Sequence, residues 1–223
     1  PRTIYFLAVQ GNHPLGMNLQ ARQEFASLVD SFFKGQEIGQ NVSYDDQLIP
    51  RGYSGRVDEY QPERRSVEAL KGETLTIEVP KGFKEISSVM DRFQRYTRDA
   101  GVEIEIRYAS AKTGEAAPFA KTSIFTGNQK DALGSWSFLF SGPSGPLRHF
   151  RSDMESAFEK VAQADNEISR MAAVDDLHKE VLDRAYAAPL FLEAPQMALS
   201  DRVDASAFNP FDFRMRFYEL RWK

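Results

Sequence analysis

Apolar and polar positions alternate along this chain in two distinct rhythms. Thr3 to Val9 is a continuous apolar run, which predicts a central strand, and Gly11-Asn12-His13-Pro14 breaks it. Asn18 then caps a predicted helix with Phe25, Leu28, Val29, Phe32 and Phe33 on its inner face, closed by Lys34-Gly35. Residues 36 to 66 are polar and turn-rich, with Pro50, Gly52, Gly55 and Pro62. They read as an extended surface segment, followed by a short helix from Arg65 to Leu70. Leu75, Ile77 and Val79 alternate as a strand. Ile86, Val89, Met90, Phe93 and Tyr96 form one face of a helix over 84–99, and Val102, Ile104 and Ile106 alternate again beyond Gly101. Strand, helix, strand at this spacing is a βαβ unit with parallel pairing.

The second half is less regular. Ser110 to Ala132 shows no period, and Trp136 to Phe140 reads as another apolar strand running into Ser141-Gly142-Pro143-Ser144-Gly145-Pro146. Helices are predicted over 152–164 and 166–187. The second, N-capped by Asp165, has a stripe of Ile168, Met171, Ala172, Leu177, Val181, Leu182 and Ala185. Pro189 cannot continue it, and Pro189-Leu190-Phe191-Leu192 predicts a short buried strand. In the tail, Phe211, Phe213, Met215 and Phe217 repeat with period two, as an extended segment packed onto the domain would. The class is α/β, with Phe25, Val29, Val89, Phe93, Val181 and Leu190 as expected core.

Composition narrows the function. At 223 residues, 42% hydrophobic and 27% charged with a net charge of −4, the chain is an ordinary globular protein without the basic excess of a nucleic-acid binder. There is no cysteine, hence no disulfide, thiolate metal site or Cys nucleophile. No apolar run approaches the roughly 20 residues of a membrane-spanning helix. The chain opens directly on Pro1-Arg2-Thr3 in front of its first strand, so a fragment or processed product of something longer is expected.

Catalytic patterns are weak. Ser31-Phe32-Phe33-Lys34 and Lys112-Thr113-Gly114 match two pieces of the penicillin-recognising serine enzymes, but the third piece is missing and Phe32 and Phe33 belong to a helix's apolar side. His13, His149 and His178 share no ligand spacing, so neither a metal nor another cofactor is expected; His13 reads as a turn residue and His178 as a helix surface position. The Ser141–Pro146 segment has two prolines where a phosphate loop needs N–H donors, which makes it a structural turn. Asp45-Asp46 and Asp175-Asp176 read as solvated acidic pairs. An enzyme is not expected.

The order of these pieces resembles the second, C-terminal lobe of the family 5 extracellular solute-binding proteins, which serve peptide and nickel uptake transporters. The matching pieces are the strand Ile4–Val9 with its Asn12 turn, the helix bearing Arg22 and Asp30, Pro50-Arg51-Gly52, the βαβ unit ending at Gly101, the frame of Trp136, Pro143 and Leu147, and the closing helices with Pro189-Leu190-Phe191. The resemblance covers most of the chain. It implies one lobe, residues 1–223, of a type II periplasmic-binding-protein-like fold with a mixed sheet flanked by helices. Residues 188–223 would form the final strand and a tail returning toward the first lobe. It further implies a ligand-binding module for a peptide or other small solute, located in the periplasm or outside the cell. Its partners would be the missing N-terminal lobe and a transporter permease, with no nucleic acid and no membrane insertion. An effector-sensing domain of a regulator is the alternative.

In peptide-binding members an Asp in the Trp-to-Pro frame holds the ligand's α-amino group. Leu139 stands there, and it cannot neutralise an ammonium. The expected ligand-binding set is Trp136, Leu139, Phe140 and Ser141 with Arg51 and Tyr53. Trp136, Phe138 and Phe140 would share one strand face, and the ligand would offer an apolar or neutral group to Leu139.

Overall fold

The computed structural model describes residues 3–36, 38, 42–51, 53, 55–63, 65–81, 84–109, 117–126, 133–193, 200–204 and 221–222. The first apolar run is strand β1 (Thr3–Val9), and it lies near the middle of the main sheet. The other strands are β2 (Val42–Tyr44), β3 (Thr74–Pro80), β4 (Glu103–Ala109), β5 (Ala120–Thr126) and β6 (Ala187–Glu193), in the spatial order β2-β6-β1-β5-β3-β4. β3 pairs parallel with β4 and β5, while β1 pairs antiparallel with β5 and β6, so the sheet is mixed. Two short strands, β7 (Val203–Asp204) and β8 (Arg221–Trp222), pair separately. The rest of the predicted period-two tail lies outside the described residues.

One face carries helix α1 (Leu19–Phe33) and helix α2 (Lys84–Asp99). Asn18 caps α1 as its sequence predicts, its side chain accepting from Ala21 N–H at 3.2 Å. Phe93 of α2 packs between the α1 rings Phe25, Phe32 and Phe33, with centroids 5.3 to 6.5 Å away. The other face is covered by α3 (Leu133–Ser141) and α5 (Glu167–Asp183), with α4 (Glu155–Gln163) packed on α5. Phe25, Val29, Val89, Phe93, Val181 and Leu190 are all buried, as their periodicity implies.

Several expectations change. Residues 133–141 form a helix, not a strand: Trp136, Leu139 and Phe140 stand at helical spacing on one buried face while Phe138 is 63% exposed on the other. So short an apolar run has no period long enough to separate strand from helix, and burial against Phe125 and Tyr186 decides it. β5 falls within the stretch that looks irregular. Its Lys121-Thr122-Ser123 core is polar, yet it is a strand because it has neighbours on both sides.

There is no helix at 65–70. Those residues run along α1, where the buried Glu24 carboxylate accepts the N–H groups of Ala69 and Leu70, each at 3.0 Å. The segment read as surface buries Asp45, Gln47, Leu48, Ile49 and Tyr53. In α5 the N-cap is Asn166, in a reciprocal capping box with Ser169, rather than Asp165. Its first turns leave Ile168 and Met171 exposed, so only the stripe from Val174 onward is core.

α5 also stops early. Arg184 caps it, Ala185 turns left-handed (φ 50°), and Ala185 and Tyr186 donate back to Leu182 and Val181. This is a Schellman turn with alanine where glycine is usual.

Candidate functional site

The two ends of the sheet differ. Parallel β3 and β4 finish at the end where Thr3, Thr126 and Glu193 align; Val9, Ala120 and Ala187 meet at the opposite end. In open α/β sheets ligands sit beyond the carboxyl ends of the parallel strands. The loop Asp45–Asp58 follows β2 and packs along α5. At its base Gln47 donates to the Tyr60 carbonyl (3.2 Å), and the Tyr60 hydroxyl donates to Asp183 at the end of α5. Further back along α5, the ring of His178 holds both arms of the loop. Its Nδ1 lies 2.8 Å from the Gly55 carbonyl, and its Nε2 accepts from Leu48 N–H at 3.4 Å. The loop is therefore tied to α5 at Asp183 and at His178, and between its two pinned arms it carries exposed Arg51 and buried Tyr53.

The same loop is braced internally. Arg56 bonds Asp45 at 3.0 Å, with the two side chains 4% and 2% exposed, and also reaches Asp58 and the Ile49 carbonyl. Burial raises the pKa of Asp45 and outweighs the opposing pull of Arg56. Burial also opposes the charge on Arg56, but Asp58 and Asp45 overcome it and hold that guanidinium above its ordinary range. Burial, with a smaller push from Arg56, brings His178 down to about 4, so the ring is neutral. With Nδ1–H donating to Gly55, Nε2 is the free acceptor that Leu48 requires.

His178 is thus no surface residue and Asp45 no solvated acid; both are fully enclosed. Neither shows in the local pattern, because their partners lie 130 and 11 residues away. A third buried polar group, Arg22, donates to the carbonyls of Arg184 (2.8 Å) and Gly16 (2.9 Å) and lies about 5 Å from the ring centres of Phe150 and Tyr186. It ties the start of α1 to the turn before β6.

The aromatic wall is less exposed than the strand reading implies. Trp136 and Phe140 are 0% exposed and Leu139 is 2% exposed, so in this structure the Leu139 side chain is part of the core. Trp136 lies against Phe125 and the His178 ring. α3 then runs back, bringing Phe140 beside Tyr186 and exposed Ser141 to the opposite end of the sheet. Trp136 and Phe140 keep ring contact along α3 (6.5 Å), so the expected site residues form no single cluster: Ser141 lies at the far end of that helix and Arg51 and Tyr53 lie on the His178-pinned loop.

No group of three His, Asp or Glu side chains that could hold a metal occurs among the described residues. Ser31 is on the outer face of α1 beside buried Phe32 and Phe33, and Lys112 to Gly114 lie outside the described residues. The Ser141–Pro146 segment is a turn, as expected: Gly145 N–H donates to Gly142, and a Cβ at Gly145 would sit 2.7 Å from the Leu139 carbonyl. A narrow pocket of ≈ 50 Å³ between α1 and the Ala185 turn, edged by Asp30, Asp46 and Asp183, has room for water rather than a solute.

No family model matches the chain, and no curated protein matches it. Solved structures do. CtaP from Listeria monocytogenes, an ABC transporter substrate-binding protein, superposes with a TM-score of 0.69 at 12% identity over 92% of this chain and 46% of its own. A dipeptide-binding protein from Pseudoalteromonas sp. SM9913, in complex with Met-Leu, gives 0.71 at 14% identity over 100% of this chain and 48% of its own. NikA from Brucella suis, in complex with Fe(III)-EDTA, gives 0.64 at 16% identity over 100% and 51%.

The chain has the fold of one lobe of these binding proteins. It spans about half the length of each, and the lobe is type II periplasmic-binding-protein-like, as the sequence resemblance implies. No described helix of this lobe is long and apolar enough to cross a membrane.

Proposed function

We propose that this lobe is the ligand-closing half of an ABC-transporter solute-binding protein, working in the periplasm or outside the cell with a first lobe and a permease, and that it is not an enzyme. The observation that carries the reading is the half-length superposition on binding proteins whose ligands include a dipeptide and a metal chelate. In this reading the solute sits at the carboxyl end of the sheet. Arg51 and Tyr53 face it from the loop that His178 pins, and Trp136 supports that loop from behind. Ligand binding would shift an open–closed equilibrium between the lobes, and the permease would read the closed form. Leu139 is buried in the core and does not set the ligand's chemistry, so free peptides, blocked peptides and metal chelates are all candidate solutes.

The test is calorimetry and small-angle scattering on the full two-lobed protein against free and N-acetylated peptides and metal chelates. One solute should bind and compact the protein, and Arg51→Ala should weaken it about ten-fold, the loss of one charged hydrogen bond. If no solute class binds or compacts the protein, the reading fails. Tight binding of free-amino peptides, abolished by acetylation, would assign the solute to peptides held by their α-amine.

A further inference from the structure

Behind the proposed solute end, where α3 stops, the lobe has an open concavity of ≈ 720 Å³. It lies at the opposite end of the sheet, about 20 Å away, since seven-residue strands at 3.3 Å per residue separate the two. Its walls are unlike the rest of this net acidic chain. Phe140, Ser141 and Pro143 line it together with Arg148, His149 and Arg151, and no carboxylate stands among the described lining residues. Arg148 and His149 sit on one 3-10 turn, Arg148–Phe150, and Arg151 begins the next. The consecutive turns bring three basic residues to one hollow.

Two atoms in this hollow lack partners. Nη1 of Arg151 and Nε2 of His149 are buried, and neither has a hydrogen-bond partner among the described residues. Buried polar atoms in native proteins are nearly always satisfied, so these two nitrogens call for a partner that the described residues do not supply. The nearest acid in sequence, Asp153, is occupied by the Tyr186 hydroxyl at 3.0 Å. Lys121 of β5, which also bears on His149, is paired with Glu78 at 3.1 Å. Arg151 is stacked on Phe158, its guanidinium carbon 4.3 Å from the ring centre, so one edge of the fork is held in place. Gly11 packs so closely that a Cβ there would be 2.7 Å from the His149 Cβ, which fixes the imidazole from behind.

We propose that this hollow binds a small oxyanion, a carboxylate or phosphate group, through Arg151, His149 and Arg148, with the Ser141 hydroxyl at its rim. A planar guanidinium and an imidazole N–H converging on a pocket without carboxylates match the fork geometry such anions accept. Phe140 and Pro143 leave an apolar wall for the organic part of the molecule. Burial, Arg148 and Lys121 all lower the pKa of His149, so a bound anion would raise it again.

The test uses the full-length protein with inorganic phosphate and, separately, acetate as probes, and sodium chloride at equal ionic strength as control. Binding is followed by calorimetry and by the imidazole NMR signals of His149. Phosphate or acetate, but not chloride, should move those signals and raise the His149 pKa. Arg148→Gln removes an exposed side chain without disturbing the core. It should weaken binding about ten-fold, with Arg151→Gln weakening it at least as much. Tighter phosphate than acetate assigns the site to phosphate groups, and the reverse order assigns it to carboxylates. Equal effects of chloride and the probes, or unchanged affinity in Arg148→Gln and Arg151→Gln, would overturn the site.

Discussion

The two faces of the sheet are held by different physics. Between α1 and α2 the contacts are aromatic, with Phe93 among Phe25, Phe32 and Phe33, and the buried polar groups of α1, Arg22 and Glu24, hold backbone at its margins. On the side of α3, α5 and the Asp45–Asp58 loop, the apolar core is threaded with buried polar groups, His178 and the Asp45–Arg56 pair. Apolar packing is non-directional and tolerates adjustment. A buried charge or imidazole needs one partner in one place, so the second face fixes a loop that no periodicity would hold. That loop is the one carrying Arg51 and Tyr53.

The sharpest way to break the contrast is to truncate each face and try to repair it. Phe93→Ala and Asp45→Ala should each cost about 3–5 kcal/mol in urea unfolding, the first by a cavity and the second by stranding Arg56. The repairs should differ. Adding Arg56→Met to Asp45→Leu should recover most of the loss, because an apolar pair of similar volume removes the uncompensated charge. No polar partner should rescue Phe93→Ala. A double variant on the loop as unstable as Asp45→Ala alone would show that the pair does more than compensate itself.

A smaller effect separates the faces by pH. His178 titrates near 4 when folded against 6.5 when unfolded, so the unfolded chain binds the extra proton between these values. Stability contributed by the neutral ring is therefore complete above about pH 6.5 and is lost as pH falls toward 4, by about 3 kcal/mol at one pKa unit per 1.36 kcal/mol. Hydrogen exchange should show amides of the Leu48–Gly55 loop opening first, with those of α2 still protected. His178→Gln should remove most of this slope. An unchanged slope would assign it to other groups.

The smallest expected effect concerns the turn that joins the faces. Ala185 stands at a left-handed position, where an L side chain costs about 1–2 kcal/mol and glycine recovers part of that after its own entropic cost. Ala185→Gly should raise the urea midpoint by an amount equal to about 0.5–1 kcal/mol. A lower midpoint would mean that the alanine methyl packs better than its backbone angle suggests.

The sequence by itself determined the elements whose period is long enough to read. β1, α1, the β3–α2–β4 unit and β6 stand where their apolar spacing places them, and their buried side chains are those the spacing names. Asn18 marks a boundary through local chemistry alone, whereas Pro189 lies inside β6 and α5 ends well before it. Only the tertiary structure decided the rest. A run as short as Trp136–Phe140 is neutral between strand and helix until Phe125, His178 and Tyr186 surround it. The polar strand β5 exists because β1 and β3 supply its hydrogen bonds from sites about 117 and 43 residues away in the chain. The site depends on the same long reach. Arg51 and Tyr53 are visible as a loop in the sequence, but what aims that loop is a histidine more than 120 residues further on, and such a contact leaves no spacing to read.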